Sequence, residues 1–224
     1  MTGSLQDRVI AAHGGAARWR DAEQFDAIVS ARGLAFTMKK RPPFVQARLS
    51  GAVHHPLCRL TPIGGDPELC GVLDGADTRI ETRDGRVQAH RSDARAALTR
   101  GGKLWRWDDL DMAYFANYAF WGYLTLPALL LRKDVLWSQT SPTRLRATFP
   151  PDLPVHSPIQ TFDFDAETGL LLRNSYTAEV IGGWAKASQR ISAHRSFGGV
   201  PVPTRRIVTP RGPFCTTLPG PVRS

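Results

Sequence analysis

From Met112 to Leu131 the chain runs for 20 residues without a formal charge, between two strand-rich halves. That length is enough to span a bilayer. The composition argues against spanning: Asn117, Gly122, Thr125 and Pro127 interrupt the run, and Tyr114, Tyr118, Trp121 and Tyr123 carry polar tips that favour a membrane interface over its centre. Spanning would also separate the two halves across a membrane. The expectation is a buried or pocket-capping helix and no stable membrane insertion. The run follows Asp108-Asp109-Leu110-Asp111, suited to the positive end of a helix dipole, and leads into Arg132-Lys133, where cations are favoured.

The flanking segments have a different period. Residues 4–13 suggest a short helix capped by Ser4, with Leu5, Val9 and Ala12 on one face, stopped at Gly14-Gly15 and followed by a turn carrying Trp19. Phe25–Met38 alternates weakly and reads as strand. Phe44–Val53 alternates more clearly, with Val45, Ala47, Leu49, Gly51 and Val53 on one face. Asp74-Gly75 and Asp84-Gly85 mark hairpin turns within 69–90. After the helical centre, strands are expected at 144–149, 159–165, 170–180, 186–197 and 200–209, with Leu170, Leu172, Asn174, Tyr176, Ala178 and Val180 sharing a face. The boundaries are a helix over about 4–20, strands over about 25–90, a helical insertion over about 105–133, strands over about 144–209 and an irregular tail, 210–224.

These pieces make one α+β domain: a strongly curved antiparallel sheet, a half-open barrel, with an N-terminal helix and a mid-chain insertion plugging its cavity. Two helical segments are too few to cover so many strands flatly, so the sheet must curl around them and enclose space suited to an apolar ligand. With 224 residues, 42% hydrophobic and 22% charged, the chain can build a sizeable core and is not globally disordered.

Lys and Arg number 29 against 20 Asp and Glu, a formal charge of +9. The excess is nearly all arginine and reads as spread along the chain; with basic clusters only at Lys39–Arg41 and Arg205-Arg206, nucleic acid is not an expected partner. Cys58, Cys70 and Cys215 form no C-x-x-C pair, and an odd count fits a reducing compartment. The first residues lack the basic and apolar regions of a secretory signal, so a cytoplasmic location is expected. Composition does not set the oligomeric state.

Several short stretches occur in an order that resembles a widespread bacterial family with no assigned chemistry: Ala12-His-Gly-Gly15 with Arg18-Trp19, Trp107-Asp-Asp-Leu110, Tyr114–Tyr118, Tyr123–Pro127, Phe149–Asp152, His156-Ser157, Tyr176–Val180 and Val202–Arg205, over about 190 residues. The layout is similar to LolA- and LppX-type lipoprotein carriers, which implies a half-open barrel plugged by helices over a lipid-binding cavity. The proline-rich end departs from that pattern where a last strand would fall, which puts closure of one side in doubt.

No G-x-S-x-G, P-loop, H-E-x-x-H or dinucleotide fingerprint is present, so no cofactor and no metal are expected. His54-His55 would point to opposite faces of a strand, and Asp108, Asp109 and Asp111 read more simply as helix-capping groups than as a metal cluster. Candidate catalytic residues are Tyr176 and Asn174, whose polar tips would enter the interior, and His156, an acid–base group on a loop. Candidate ligand-binding residues are Trp107, Tyr114, Tyr118, Trp121, Tyr123 and Leu172, five of them from the densest aromatic stretch. Asp163 is expected outside, near Arg173. Two functions remain open: a carrier or sequestering protein for a hydrophobic small molecule or acyl chain, or a cofactor-free cyclase or isomerase of an apolar biosynthetic intermediate.

Overall fold

A computed structural model describes residues 3–99, 103, 105–212 and 222–223. The strands form two antiparallel sheets rather than one. The first contains β1 (Gln24–Ala31), β2 (Phe44–Ala52), β3 (Leu57–Thr61), β4 (Leu69–Asp74), β5 (Asp77–Thr82) and β6 (Val87–Arg91), in that order. The second runs from β7 (Leu136–Ser141) through β8 (Arg144–Thr148), β9 (Ile159–Phe164), β10 (Leu171–Thr177), β11 (Lys186–Phe197) and β12 (Val200–Pro210) to β13 (Val222–Arg223). Each is a meander, as short hairpin connections require. Most of the proline-rich tail, with Cys215, lies outside the described residues.

The helices are α1 (Leu5–Ala12), α2 (Ala16–Asp21), α3 (Leu34–Met38), α4 (Ala94–Thr99), α5 (Asp109–Leu124) and α6 (Leu126–Leu129). Ser4 caps α1 as expected, its hydroxyl accepting from the Asp7 amide while Asp7 returns the bond. The same capping box starts α5: Asp108 accepts from the Asp111 amide at 2.9 Å, and Asp111 accepts from the Asp108 amide. The acidic trio is held by cations. Arg91 lies 2.7 Å from Asp108 and 2.6 Å from Asp111, Lys103 lies 2.7 Å from Asp111, and Arg41 pairs with Asp109.

The uncharged run is apolar on every side and is buried on every side. Ala113 and Asn117 press α5 onto β4, where Gly71 lets the helix approach: a Cβ there would meet the Ala113 methyl at 2.8 Å. Asn117 donates to the Gly71 carbonyl at 3.0 Å, and the Trp121 indole donates to the Ala52 carbonyl at 2.9 Å. The opposite side reaches the second sheet, and one apolar cluster joins α5 to both sheets. No helix among the described residues is long and apolar enough to cross a membrane.

Four local expectations are corrected. The strand expected through Met38 ends at Ala31, and Gly33 turns the chain into α3. In β2, Gln46 takes φ +48° at a bulge opposite Ser30, so Phe44 is buried and Val45 is 70% exposed. A bulge between Leu171 and Arg173 shifts β10 likewise, burying Leu171, Asn174 and Tyr176 and turning Leu172 outward, 42% exposed. Asp163 registers opposite Arg173, but its ion pair goes to Arg144, at 2.5 Å.

Candidate functional site

Three aromatic side chains from α5 and β10 close around one histidine. His156 lies in the connection between β8 and β9, whose residues Leu153 to Ser157 are buried. The connection is fixed by its backbone: Arg95 donates to the Val155 carbonyl at 2.7 Å, the Glu179 amide to the His156 carbonyl at 3.2 Å, and the Thr177 amide to the Ser157 hydroxyl at 3.2 Å. The imidazole stacks on the Tyr176 ring, centroids 3.9 Å apart and planes 5° from parallel. Its Nδ1 lies 3.3 Å from the Tyr118 hydroxyl and its Nε2 2.9 Å from the Tyr123 hydroxyl. A neutral imidazole has one donor and one acceptor, so one phenol accepts from it and the other donates to it.

Burial sets the ionisation of this cluster. It pushes the His156 pKa down to about 3, with the charge of Arg95 acting in the same direction. Burial raises the Tyr118, Tyr123 and Tyr176 phenols, so near neutral pH all four groups are uncharged. The neutral imidazole therefore has both nitrogens engaged, one by each phenol.

Beneath the cluster a diagonal of buried polar side chains crosses the second sheet. Gln160 on β9, Asn174 on β10, Gln189 on β11 and Arg206 on β12 all face inward. Asn174 donates to the Gln160 carbonyl oxygen at 3.1 Å, and Arg206 donates to that of Gln189 at 3.0 Å. Arg206 also donates to the Tyr123 backbone carbonyl at 2.9 Å, with its guanidinium 4.5 Å from the centre of the Tyr123 ring. Burial lowers its pKa to about 10, with the Tyr123 and Tyr176 phenols opposing, so it remains a cation at neutral pH. Gln160 and Gln189 are not among the residues the sequence singles out, and Arg206 stands out there only as part of a basic pair. Their signal was available: each is a polar residue at an inward position of an alternating strand, as Gln189 is between Ala187 and Ile191.

Two cavities flank this cluster and share Phe120 and Tyr123 as a partition. One, of 260 Å³, is lined almost wholly by carbon; α3, α5 and the 178–187 turn supply much of its walls, and His156, Tyr176 and Tyr123 are among its lining residues. The other, of 710 Å³, lies between β1 and β12, with Trp19, Phe25 and Leu124 in its walls and Arg206 among its lining residues.

The structure brings His156, Tyr176, Tyr118 and Tyr123 together and places Asn174 in the adjoining polar diagonal. Tyr114 is buried behind Tyr118, ring centroids 5.1 Å apart, and lines neither cavity. Trp121 faces the first sheet. Trp107 packs on Phe115 at 5.1 Å, beneath the Lys39 ammonium at 4.5 Å. Leu172 lies on the outer surface of the second sheet, beside a surface pocket apart from both cavities.

No family model and no curated protein matches the chain. Among solved structures, a LolA-superfamily protein from Nitrosomonas europaea is similar over 98% of this chain and 90% of its own, with a TM-score of 0.49 and 11% sequence identity.

Proposed function

We propose that the protein binds a hydrophobic small molecule or acyl chain between its two sheets, as a carrier or sequestering protein. The observation that carries this reading is the 260 Å³ cavity with nearly all-carbon walls and the neutral His156, Tyr123 and Tyr176 among its lining residues. Pockets of that character take apolar ligands and use a few polar atoms to orient them. Tyr123 and Tyr176 contact the ligand, and His156 holds the Tyr123 hydroxyl and stacks on the Tyr176 ring.

Filling the cavity tests the reading. Ala119 and Ala187 line it from α5 and β11. Titration with a fluorescent naphthylamine probe is expected to show saturable binding to the native chain. Affinity should fall at least tenfold in both Ala119→Phe and Ala187→Leu, with circular dichroism retained. Equal probe binding by native and filled proteins would refute the site.

A further inference from the structure

We infer that the mouth of the smaller cavity docks on an anionic lipid surface. The positive charge is not spread along the chain. Residues 27–65 and 180–224 hold 13 of the 29 basic residues and none of the 20 acidic ones, so the rest of the chain is net negative. These two segments belong to opposite sheets, and the structure brings them together: Ala31–Phe44 and Ile181–Arg211 supply most of the walls of the smaller cavity, facing each other across α5.

At the mouth the walls end in exposed apolar side chains. Leu34 and Met38 on α3 are 51% and 38% exposed, and Trp184, on the turn after β10, is 68% exposed; all three line the cavity. Arg32 and Lys40 flank α3, and Lys186 follows Trp184, each exposed. Large apolar side chains grouped in water at a cavity entrance are unfavourable unless something covers them. Aliphatic tips, a tryptophan and a surround of cations match the layers of an anionic bilayer: acyl boundary, interface and phosphate. A polyanion such as nucleic acid would satisfy the charges but not Leu34 and Met38. Docking here is peripheral, through side chains, and needs no spanning helix. It would present the cavity directly to the acyl region, so that an apolar ligand passes between the two with little exposure to water. The inference concerns the same cavity as the proposed function but stands on the exposed rim and the charge map.

Flotation of the full chain with vesicles of phosphatidylcholine alone, or mixed with phosphatidylglycerol, tests it. Binding is expected on the mixed vesicles only and should weaken in high salt. It should fall at least tenfold in Leu34→Ser/Trp184→Ser and in Lys40→Glu/Lys186→Glu, all surface changes that leave the melting temperature in place. Absence of flotation overturns the inference. So does flotation unchanged by loss of Leu34 and Trp184, or an equal response to dissolved heparin, because either would mean charge attraction without apolar contact. Naphthylamine binding in vesicle-free buffer, by the native chain and by Lys40→Glu, which lies outside the cavity lining, reads the cavity separately, so failure of docking and failure of ligand binding are distinguishable.

Discussion

His156 carries the clearest residue-level consequence. Its pKa of about 3 in the folded protein lies below the ordinary 6.5 because burial excludes the charged form. Below pH 6.5 the unfolded chain takes up a proton that the folded chain refuses until about pH 3. The stability from this group is therefore complete above pH 6.5 and is lost as pH falls, by at most about 1.4 kcal/mol per unit. Denaturant unfolding of His156→Gln should show a shallower loss between about pH 7 and about pH 5 than the native chain. Equal slopes would mean that the imidazole is not buried neutral. Tyr123→Phe removes one hydroxyl from His156 and should cost about 1 kcal/mol at neutral pH, read as a shift of the unfolding midpoint without a change in slope. At the same scale, Arg206→Lys keeps the charge but loses the two-armed contact to Gln189 and Tyr123. It should therefore lower the unfolding midpoint, read by denaturant unfolding.

Among the elements, α5 depends on the bare backbone of Gly71. Gly71→Ala should destabilise the protein by roughly 1–3 kcal/mol, because its methyl would meet Ala113 at 2.8 Å. Ala113→Gly in the same chain should recover part of that loss, measured by denaturant unfolding; full additivity of the two changes would place the strain elsewhere. Most elements were legible in the sequence because their apolar residues repeat with the right period: α1, α5, the β3–β6 meander and β8–β12. What alternation does not reveal is a bulge. Gln46 and Leu172 sit where one extra residue reverses the faces, and neither is a glycine or proline that would mark it. β7 was missed because nearly every residue of Leu136–Ser141 is exposed or half-exposed, which leaves no alternation to see. Leu34, Phe36 and Met38 fit a strand period, yet Gly33 starts a helix that buries only Phe36. The histidine–tyrosine cluster was legible as separate candidates, Tyr176 by face and His156 by chemistry. Their stacking was not, since it depends on a non-regular connection reaching across from another strand.

At the scale of the molecule, the uncharged run and the charge excess are two sides of one arrangement. The run fills the space between two sheets without filling all of it, and most of the remaining walls of the smaller cavity come from the two acid-free stretches of the chain. The central claim is that this space holds an apolar ligand. Native mass spectrometry of the purified chain, with and without added long-chain fatty acid, reads it most directly. The account predicts a discrete adduct of lipid mass that is retained at low collision energy and absent from Ala119→Phe and Ala187→Leu. A native chain that carries no adduct and takes up none, or filled variants that bind as well as the native chain, would contradict it.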